Sequence, residues 1–227
     1  MAISVKEAHF PQDLMRMGVR WYLTSPLRYR HGEALMTEGG VRLDHATIQR
    51  WVVKYSPLLE EALHRRKRPV WVSWRLDETY IRVKGQWRYL YRAVDKYGQT
   101  IDFLLTEHRD KGAALRLLKK ALRCNGVPET ITIDGSGANE AAIKSDHEEH
   151  GTIMKIRQIH YFNNVVAQDH RAIQHVTRPM LGFKAFEATQ ATLTGIELMH
   201  MIKKKQMVIE ARDEGLTAAE LFYSLAA

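Results

Sequence analysis

Two aspartates stand where a protein could hold a divalent cation. Asp77 lies in the stretch SWRLDETY, between the apolar and aromatic residues Trp74, Leu76 and Tyr80, and Asp134 ends a short apolar run directly before the turn-rich segment GSGAN. A charge among apolar residues is costly unless a partner or a metal compensates it. If the two segments are neighbouring strands, both carboxylates lie at one edge of a sheet and offer the hard oxygen ligands that Mg²⁺ prefers. Such a pair supports phosphoryl transfer.

A two-metal site of this kind normally takes a further carboxylate from a nearby helix. The segment NNVVAQDHR, residues 163–171, has the spacing of such a helix, with Val165, Val166 and Ile173 as its inward stripe. Residues three, four and seven apart share a helical face, and this places Ala167 at the centre of a polar one. The other residues of that face are Asn163, Asn164, His170, Arg171 and Gln174. A methyl group is unexpected there.

Each acidic residue also has an ordinary explanation. Asp134 could be a turn residue or a helix cap, and Asp77 a surface residue at a strand end. His170 and Arg171 could contact a DNA phosphate or could simply be exposed polar residues. The combination of two aspartates with a following polar helix is more specific than either aspartate alone.

The elements that must position the two aspartates form a mixed α/β pattern. Three β-branched and aromatic segments are separated by Lys84-Gly85 and Gly98, which predicts three strands joined by hairpins. The predicted order is strands at 70–83, 86–97 and 100–108, a helix at 111–126, a strand at 130–134, a helix at 139–150 and a strand at 152–159, followed by helices. We therefore expect a mixed sheet with flanking helices.

The N-terminal third reads as helices joined by short turns. A helix is predicted over 12–23, and a second begins at Pro26, with Ser25 as its cap, and stops at the double glycine of residues 39–40. After a tight turn the next begins after Asp44, a good N-cap, and ends at Pro57. A helix, a Gly-containing turn and a helix whose outward face is polar are typical of a helix-turn-helix that binds DNA. A helical hairpin that only packs on the rest of the chain is the alternative.

Composition points to a polyanionic partner. The 227-residue chain has a formal net charge of +8, and residues 1–69 hold 12 Lys and Arg against 7 Asp and Glu. A hydrophobic content of 45% is sufficient for a packed core, no apolar run approaches a membrane span, and the single Cys124 excludes an internal disulfide. These features predict a protein of a reducing, intracellular compartment.

Several motifs together resemble one known family, the DDE transposases of bacterial insertion sequences, and within it the insertion-sequence family six. The resemblance extends over essentially the whole chain. It rests on VRWYLTSPLRYR, DHATIQRWV, WRLDETYIRVKGQWRYLYRAVDKYGQTIDFLLTEHRD, TIDGSGAN and NNVVAQDHRAI with RPMLGFKAF. Asp77 and Asp134 match the first two positions of the family's Asp, Asp, Glu triad, and the third position falls on Ala167. QHV at 174–176 is a second departure from the family pattern.

The resemblance implies an α/β fold, a ribonuclease-H-like mixed sheet with flanking helices preceded by a small all-α helix-turn-helix domain. It also implies a bacterial, nucleoid-associated cytoplasmic protein that binds terminal inverted repeats and target DNA as a homodimer or larger assembly. Asp77 and Asp134 would bind Mg²⁺, with Mn²⁺ as a substitute. The expected division is a helix-turn-helix region at 1–63, a basic linker at 64–69, a catalytic domain with its C-terminal helices at 70–209, and a helical tail at 210–227.

The residues expected to contact DNA are Arg28, Arg30, His45, Thr47, Gln49, Arg50, Lys54, His170 and Arg171. Because Ala167 replaces the glutamate, we expect a chain that binds DNA but cuts and joins it poorly. The main alternative is a non-catalytic DNA-binding protein, a former transposase acting as a repressor or architectural factor. A ribonuclease-H-like nuclease acting on RNA–DNA hybrids is a third, less favoured hypothesis, because the helix-turn-helix suggests recognition of duplex ends.

Overall fold

The computed structural model describes residues 10–159, 164–180 and 182–225. The chain forms two compact units, one of residues 69–172 and one that combines residues 1–68 with residues 173–227. The first is built on a β-sheet and the second is helical. Asn163, which the sequence analysis placed on the polar face with Ala167, lies outside the described residues.

The sheet unit contains five strands. Their bounds are β1 Ser73–Val83, β2 Gln86–Asp95, β3 Thr100–Thr106, β4 Thr130–Ile133 and β5 Lys155–Gln158. The strand order is β3-β2-β1-β4-β5, with antiparallel pairing from β3 to β1 and parallel pairing of β4 with both β1 and β5. The mixed sheet is confirmed, as is the predicted hairpin between β1 and β2, where Lys84 and Gly85 have φ values of 50° and 75°.

Two helices cover one face of this sheet. They are α4, Lys111–Asn125, and α5, Gly137–His150. Trp74 and Leu76 of β1, Leu117 of α4 and Ile143 of α5 belong to one buried apolar cluster, whose formation accounts for the strand and helix periodicities in the sequence. The helix α6, Asn164–Thr177, buries Val166 as the apolar stripe predicted.

The helical unit contains α1 Gln12–Thr24, α2 Tyr29–Glu38, α3 His45–His64, α7 Phe186–Lys203 and α8 Ala218–Leu225. Helix α7 contacts α1 and α3 closely, because a Cβ added at Gly195 would lie 2.6 Å from side-chain atoms of both Leu23 and Ser56. This contact groups the helices after residue 172 with the N-terminal helices, whereas the sequence placed residues up to 209 with the sheet.

Helix α3 begins where the sequence predicted and ends later. Asp44 caps it by accepting a hydrogen bond from the backbone N–H of Ala46 at 2.7 Å. Pro57 does not end the helix, which continues to His64. The buried residues Leu59 and Leu63 extend the apolar stripe beyond the proline, and their burial outweighs the loss of one backbone hydrogen bond.

Within the described ranges, no helix is both long enough and apolar enough to cross a membrane.

Candidate active site

The pairing of β1 with β4 brings the two aspartates level. Ser73, Trp74 and Arg75 pair with Thr130, Ile131 and Thr132. Two residues further along the strands, this register places Asp77 opposite Asp134, both on the sheet face that carries Arg75. Asp134 follows the end of β4, and its Oδ1 accepts a hydrogen bond from the backbone N–H of Ser136 at 3.0 Å. The sequence prediction that the two carboxylates share one edge is met.

The electrostatics of Asp77 reflect this proximity. The pKa of Asp77 is raised to about 7, first by burial and then by the charges of Asp134 and Glu78, while the backbone N–H of Glu78 and the charge of Arg109 act in the opposite direction. Partial burial and a second carboxylate nearby both disfavour the ionised form of an acidic side chain. The pair is therefore short of positive charge.

Helix α6 contacts this pair through His170. The Nε2 atom of His170 lies 3.6 Å from Oδ2 of Asp77, and the His170 side chain is only 6% exposed. Neither ring nitrogen has a hydrogen-bond partner. Burial, with the charge of Arg92, lowers the pKa of His170 to about 3, so the imidazole is neutral at pH 7 and its contact with Asp77 is not an ion pair.

Ala167 lies one helical turn before His170 and is half-buried. Residues three apart lie on the same face of a helix, so Ala167 shares the face that meets Asp77. Its methyl group has no metal ligand to offer. Within the part of the chain that the structure describes, the one group of three His, Cys, Asp or Glu side chains spaced to share an ion is formed by Glu33, Asp44 and His45, at the start of α3.

Neighbouring acidic residues are engaged elsewhere. Asp169 forms a buried ion pair with Arg92. Glu78, next to Asp77 in the chain, points to the opposite side of the strand, where it pairs with Arg109 and accepts a hydrogen bond from Asn139 at 3.3 Å. Neither one substitutes for a carboxylate at position 167. Asp169 lies two residues after Ala167, roughly 200° around the helix, and is therefore directed away from the site.

Sequence reasoning did not identify Arg92 or Glu78 as residues of this neighbourhood. The signal for Arg92 was present, since it is a lone charge within the otherwise apolar and aromatic run YLYRAV. The position of Glu78 depends on the pairing of β1, which the sequence does not specify.

The residues expected to contact DNA occupy different environments. Arg50, Lys54 and Arg171 are exposed, whereas His170 is buried. Thr47 is half-buried and accepts a hydrogen bond from Arg50 at 2.8 Å. The remaining four, all in the helical unit, line a cavity of about 360 Å³. They are Arg28, Arg30, His45 and Gln49.

This cavity combines positive charge with aromatic surface. Tyr29 and Lys184 also line it, and Tyr29 stacks on Tyr22 with ring centroids 3.9 Å apart. Arg28 donates a hydrogen bond to the carbonyl oxygen of Pro179 at 3.0 Å, which fixes one of the three Arg and Lys side chains of the lining. The lining suits an anionic ligand with a planar part.

Known proteins that are similar to this chain include transposases. The family model for a DDE domain, from the IS240 group of transposases, matches residues 71–206. The chain is 32% identical over 203 residues to the transposase for insertion sequence-like element IS431mec of Staphylococcus aureus, covering 86% of this chain and 87% of that protein. The same figures hold for the S. aureus transposase of insertion sequence element IS257 in transposon Tn4003.

Among solved structures, the HTLV-2 integrase catalytic core domain in complex with magnesium is similar at 15% identity and a TM-score of 0.46, covering 58% of this chain and 86% of that one. The mixed five-stranded sheet with its flanking helices coincides with the DDE-domain match, which confirms the expected ribonuclease-H-like fold. With its level aspartate pair and its family match over more than half of its length, the chain belongs to the DDE transposases of insertion-sequence family six.

Proposed function

We propose that this chain binds the terminal inverted repeats of an insertion sequence and that its capacity to nick and transfer DNA strands is impaired. One observation carries the proposal. Asp77 and Asp134 lie level on adjacent strands, and the helix face that meets Asp77 through His170 has alanine at position 167. Asp77 and Asp134 would fill two of the three acidic positions of a DDE site, and Ala167 at the third has no ligand atom.

The residues present fit a divalent cation. The pKa of Asp77 is raised to about 7 by burial and by nearby negative charge, a strain that a bound cation would relieve. Asp77 and Asp134 would supply the oxygen ligands, with Mg²⁺ as the ordinary ion and Mn²⁺ as a substitute. When bound, such an ion neutralises charge on the phosphate and favours an attacking oxygen in an in-line displacement.

The side chains of the chain itself set the limits of that chemistry. The Ser136 N–H orients the carboxylate of Asp134, and the strand pairing orients Asp77. Ala167 provides no oxygen to fix a second ion or to align the attacking group, and misalignment of reacting groups lowers rate steeply. Binding of DNA does not require this position, so we expect binding to survive where turnover fails.

DNA binding is proposed for the basic N-terminal region. The exposed Arg50 and Lys54 lie on the outward side of α3, where phosphate contacts would position a duplex. Arg28 and Arg30 would add contacts from the preceding turn and helix. Because transposition joins two DNA ends, a homodimer or larger assembly is expected, in a bacterial cytoplasm and in association with the nucleoid.

The test is strand transfer on terminal-repeat DNA with Mg²⁺ or Mn²⁺, comparing the natural chain with Ala167→Glu. We expect the glutamate to raise strand transfer by about 10- to 100-fold or more, the range over which removing a metal-site group changes activity. Ala167→Gln is the matched control, because it has the same shape without the charged ligand. Equal activity in the Glu and Gln variants would contradict the proposal.

The second candidate is a DNA-binding protein without catalysis, acting as a repressor or an architectural factor. The absence of a carboxylate at position 167 is the observation that favours it. The same experiment separates the two. If natural chain and Ala167→Glu bind the repeat DNA equally and neither joins strands, the non-catalytic function is supported.

A further inference from the structure

We propose that His170 Nε2 is a metal ligand in this chain and that Asp77, Asp134 and His170 form a site that prefers Mn²⁺ or Co²⁺ to Mg²⁺. The inference rests on the proposed function, because it concerns the same pair of aspartates. It specifies which ion the altered site takes now that position 167 is an alanine.

The first support is the state of the imidazole. His170 is buried, with 6% of its side chain exposed, and neither Nδ1 nor Nε2 has a hydrogen-bond partner. A buried polar group without a partner is destabilising, and a neutral imidazole nitrogen is a common metal ligand. An ion at Nε2 would remove this cost.

The second support is distance. Nε2 of His170 lies 3.6 Å from Oδ2 of Asp77, which is too long for a hydrogen bond. Ligand bonds to small divalent cations are about 2.1 Å long, so two atoms bound to one ion are separated by roughly 3 to 4.2 Å. The two side chains are therefore already spaced as neighbouring ligands of one ion.

Asp134 completes the set once its side chain moves toward the other two ligands. One of its oxygens accepts the hydrogen bond from Ser136, and the described residues include no closed cluster of three ligands at this place. Its negative charge nevertheless contributes to the raised pKa of Asp77, so the two carboxylates are close enough to interact. Rotation of the Asp134 carboxylate toward Asp77 would bring it to the ion.

The ligand types determine the preference. Mg²⁺ favours sites built from oxygen and keeps several waters. Imidazole suits later transition metals, and affinity for a site containing nitrogen rises from Mn²⁺ to Co²⁺. A site of two carboxylates and one imidazole should therefore discriminate against Mg²⁺ more strongly than a site of three carboxylates.

The experiment is titration of the full-length chain with Mn²⁺ alone, followed by pulsed electron paramagnetic resonance. Nitrogen coordination produces a ¹⁴N coupling on the bound ion, a readout that does not depend on catalysis. The variants are His170→Gln, His175→Gln as the matched control on the same helix, and Asp77→Asn. Circular dichroism and thermal unfolding show whether each variant is folded.

We expect ¹⁴N coupling in the natural chain and in His175→Gln. His170→Gln should lose the coupling and bind Mn²⁺ about tenfold more weakly or worse, with Mg²⁺ binding little changed. Bound Mn²⁺ without nitrogen coupling would overturn the inference and leave the proposed acid-pair site intact. If no Mn²⁺ binds, or if Asp77→Asn does not weaken its binding, both the inference about His170 and the proposed acid-pair site are overturned. Binding of repeat DNA tests the rest of the proposed function separately.

Discussion

Two aspartates of the sheet unit, Asp77 and Asp169, are in opposite electrostatic situations. The side chain of Asp169 is 6% exposed and is paired with the fully buried guanidinium of Arg92. Asp77 is opposite Arg92 in the pairing of β1 with β2, yet the charges that act most on it are those of other acids, and its pKa rises to about 7. Arg92, the cation opposite Asp77 in this strand pairing, is instead paired with Asp169 of α6.

The difference shows how one fold assigns different work to the same residue type. Asp169 joins α6 to the sheet through a compensated charge, and this pairing holds the helix that carries Ala167 and His170. Asp77 retains an uncompensated charge, which is unfavourable for stability and favourable for binding a cation from solution. The structural ion pair thus positions the helix beside the candidate metal site.

The largest effect is expected from breaking the structural pair. Asp169→Asn leaves the guanidinium of Arg92 buried without its anionic partner, and loss of one member of a buried pair costs about 3–5 kcal/mol. The measurement is urea unfolding in the absence of divalent metal, monitored by tryptophan fluorescence. The double variant Arg92→Met with Asp169→Leu should recover much of the loss. A cost below about 1 kcal/mol for Asp169→Asn, the range of exposed ion pairs, would contradict this role.

A smaller effect of opposite sign is expected at Asp77. Asp77→Asn removes an unfavourable charge and should raise the free energy of unfolding by about 2–4 kcal/mol at pH 8, since one pKa unit corresponds to about 1.4 kcal/mol. The same urea unfolding, in EDTA, measures it.

The pH dependence gives the sign. The folded pKa of about 7 lies above the unfolded value of about 3.9, so the natural chain takes up a proton on folding between these values and loses stability as pH rises through 7. The advantage of Asp77→Asn should therefore be small at pH 4, grow up to pH 7 and level off above it. A constant advantage across this range would show that charge is not its cause.

The smallest effect is stabilisation by added metal. Mn²⁺ at about 100 times its dissociation constant should raise the free energy of unfolding by about 2.7 kcal/mol. Asp77→Asn should abolish the increment, and His175→Gln should retain it, as judged by thermal unfolding with and without Mn²⁺. An equal increment in all three proteins would place the ion elsewhere.

The sequence predicted the order of elements in the sheet unit and the positions of Asp77 and Asp134. Both followed from local patterns, namely strand periodicity, Gly-containing turns and isolated charges in apolar segments. The same patterns correctly predicted that α3 begins after Asp44. They wrongly predicted that it ends at Pro57, because local patterns do not show that Leu59 and Leu63 are buried.

Long-range partners could not be predicted in this way. Arg92 pairs with Asp169 and not with Asp77, its neighbour on the adjacent strand. This pairing and the approach of His170 to Asp77 both depend on where α6 packs. The grouping of α7 with the N-terminal helices depends on close contact at Gly195. In the sequence, this contact is marked by one glycine, which does not identify its partners.

The short parallel pairing of β1 with β4 has a consequence for how this chain can change in length. Side chains alternate between faces, so one inserted residue between Arg75 and Asp77, or between Thr132 and Asp134, would turn a carboxylate to the wrong side of the sheet. The turns at 84–85 and 126–129 carry no such constraint. Among relatives of differing length, we expect insertions and deletions to accumulate in those turns and to be absent from 73–77 and 130–134.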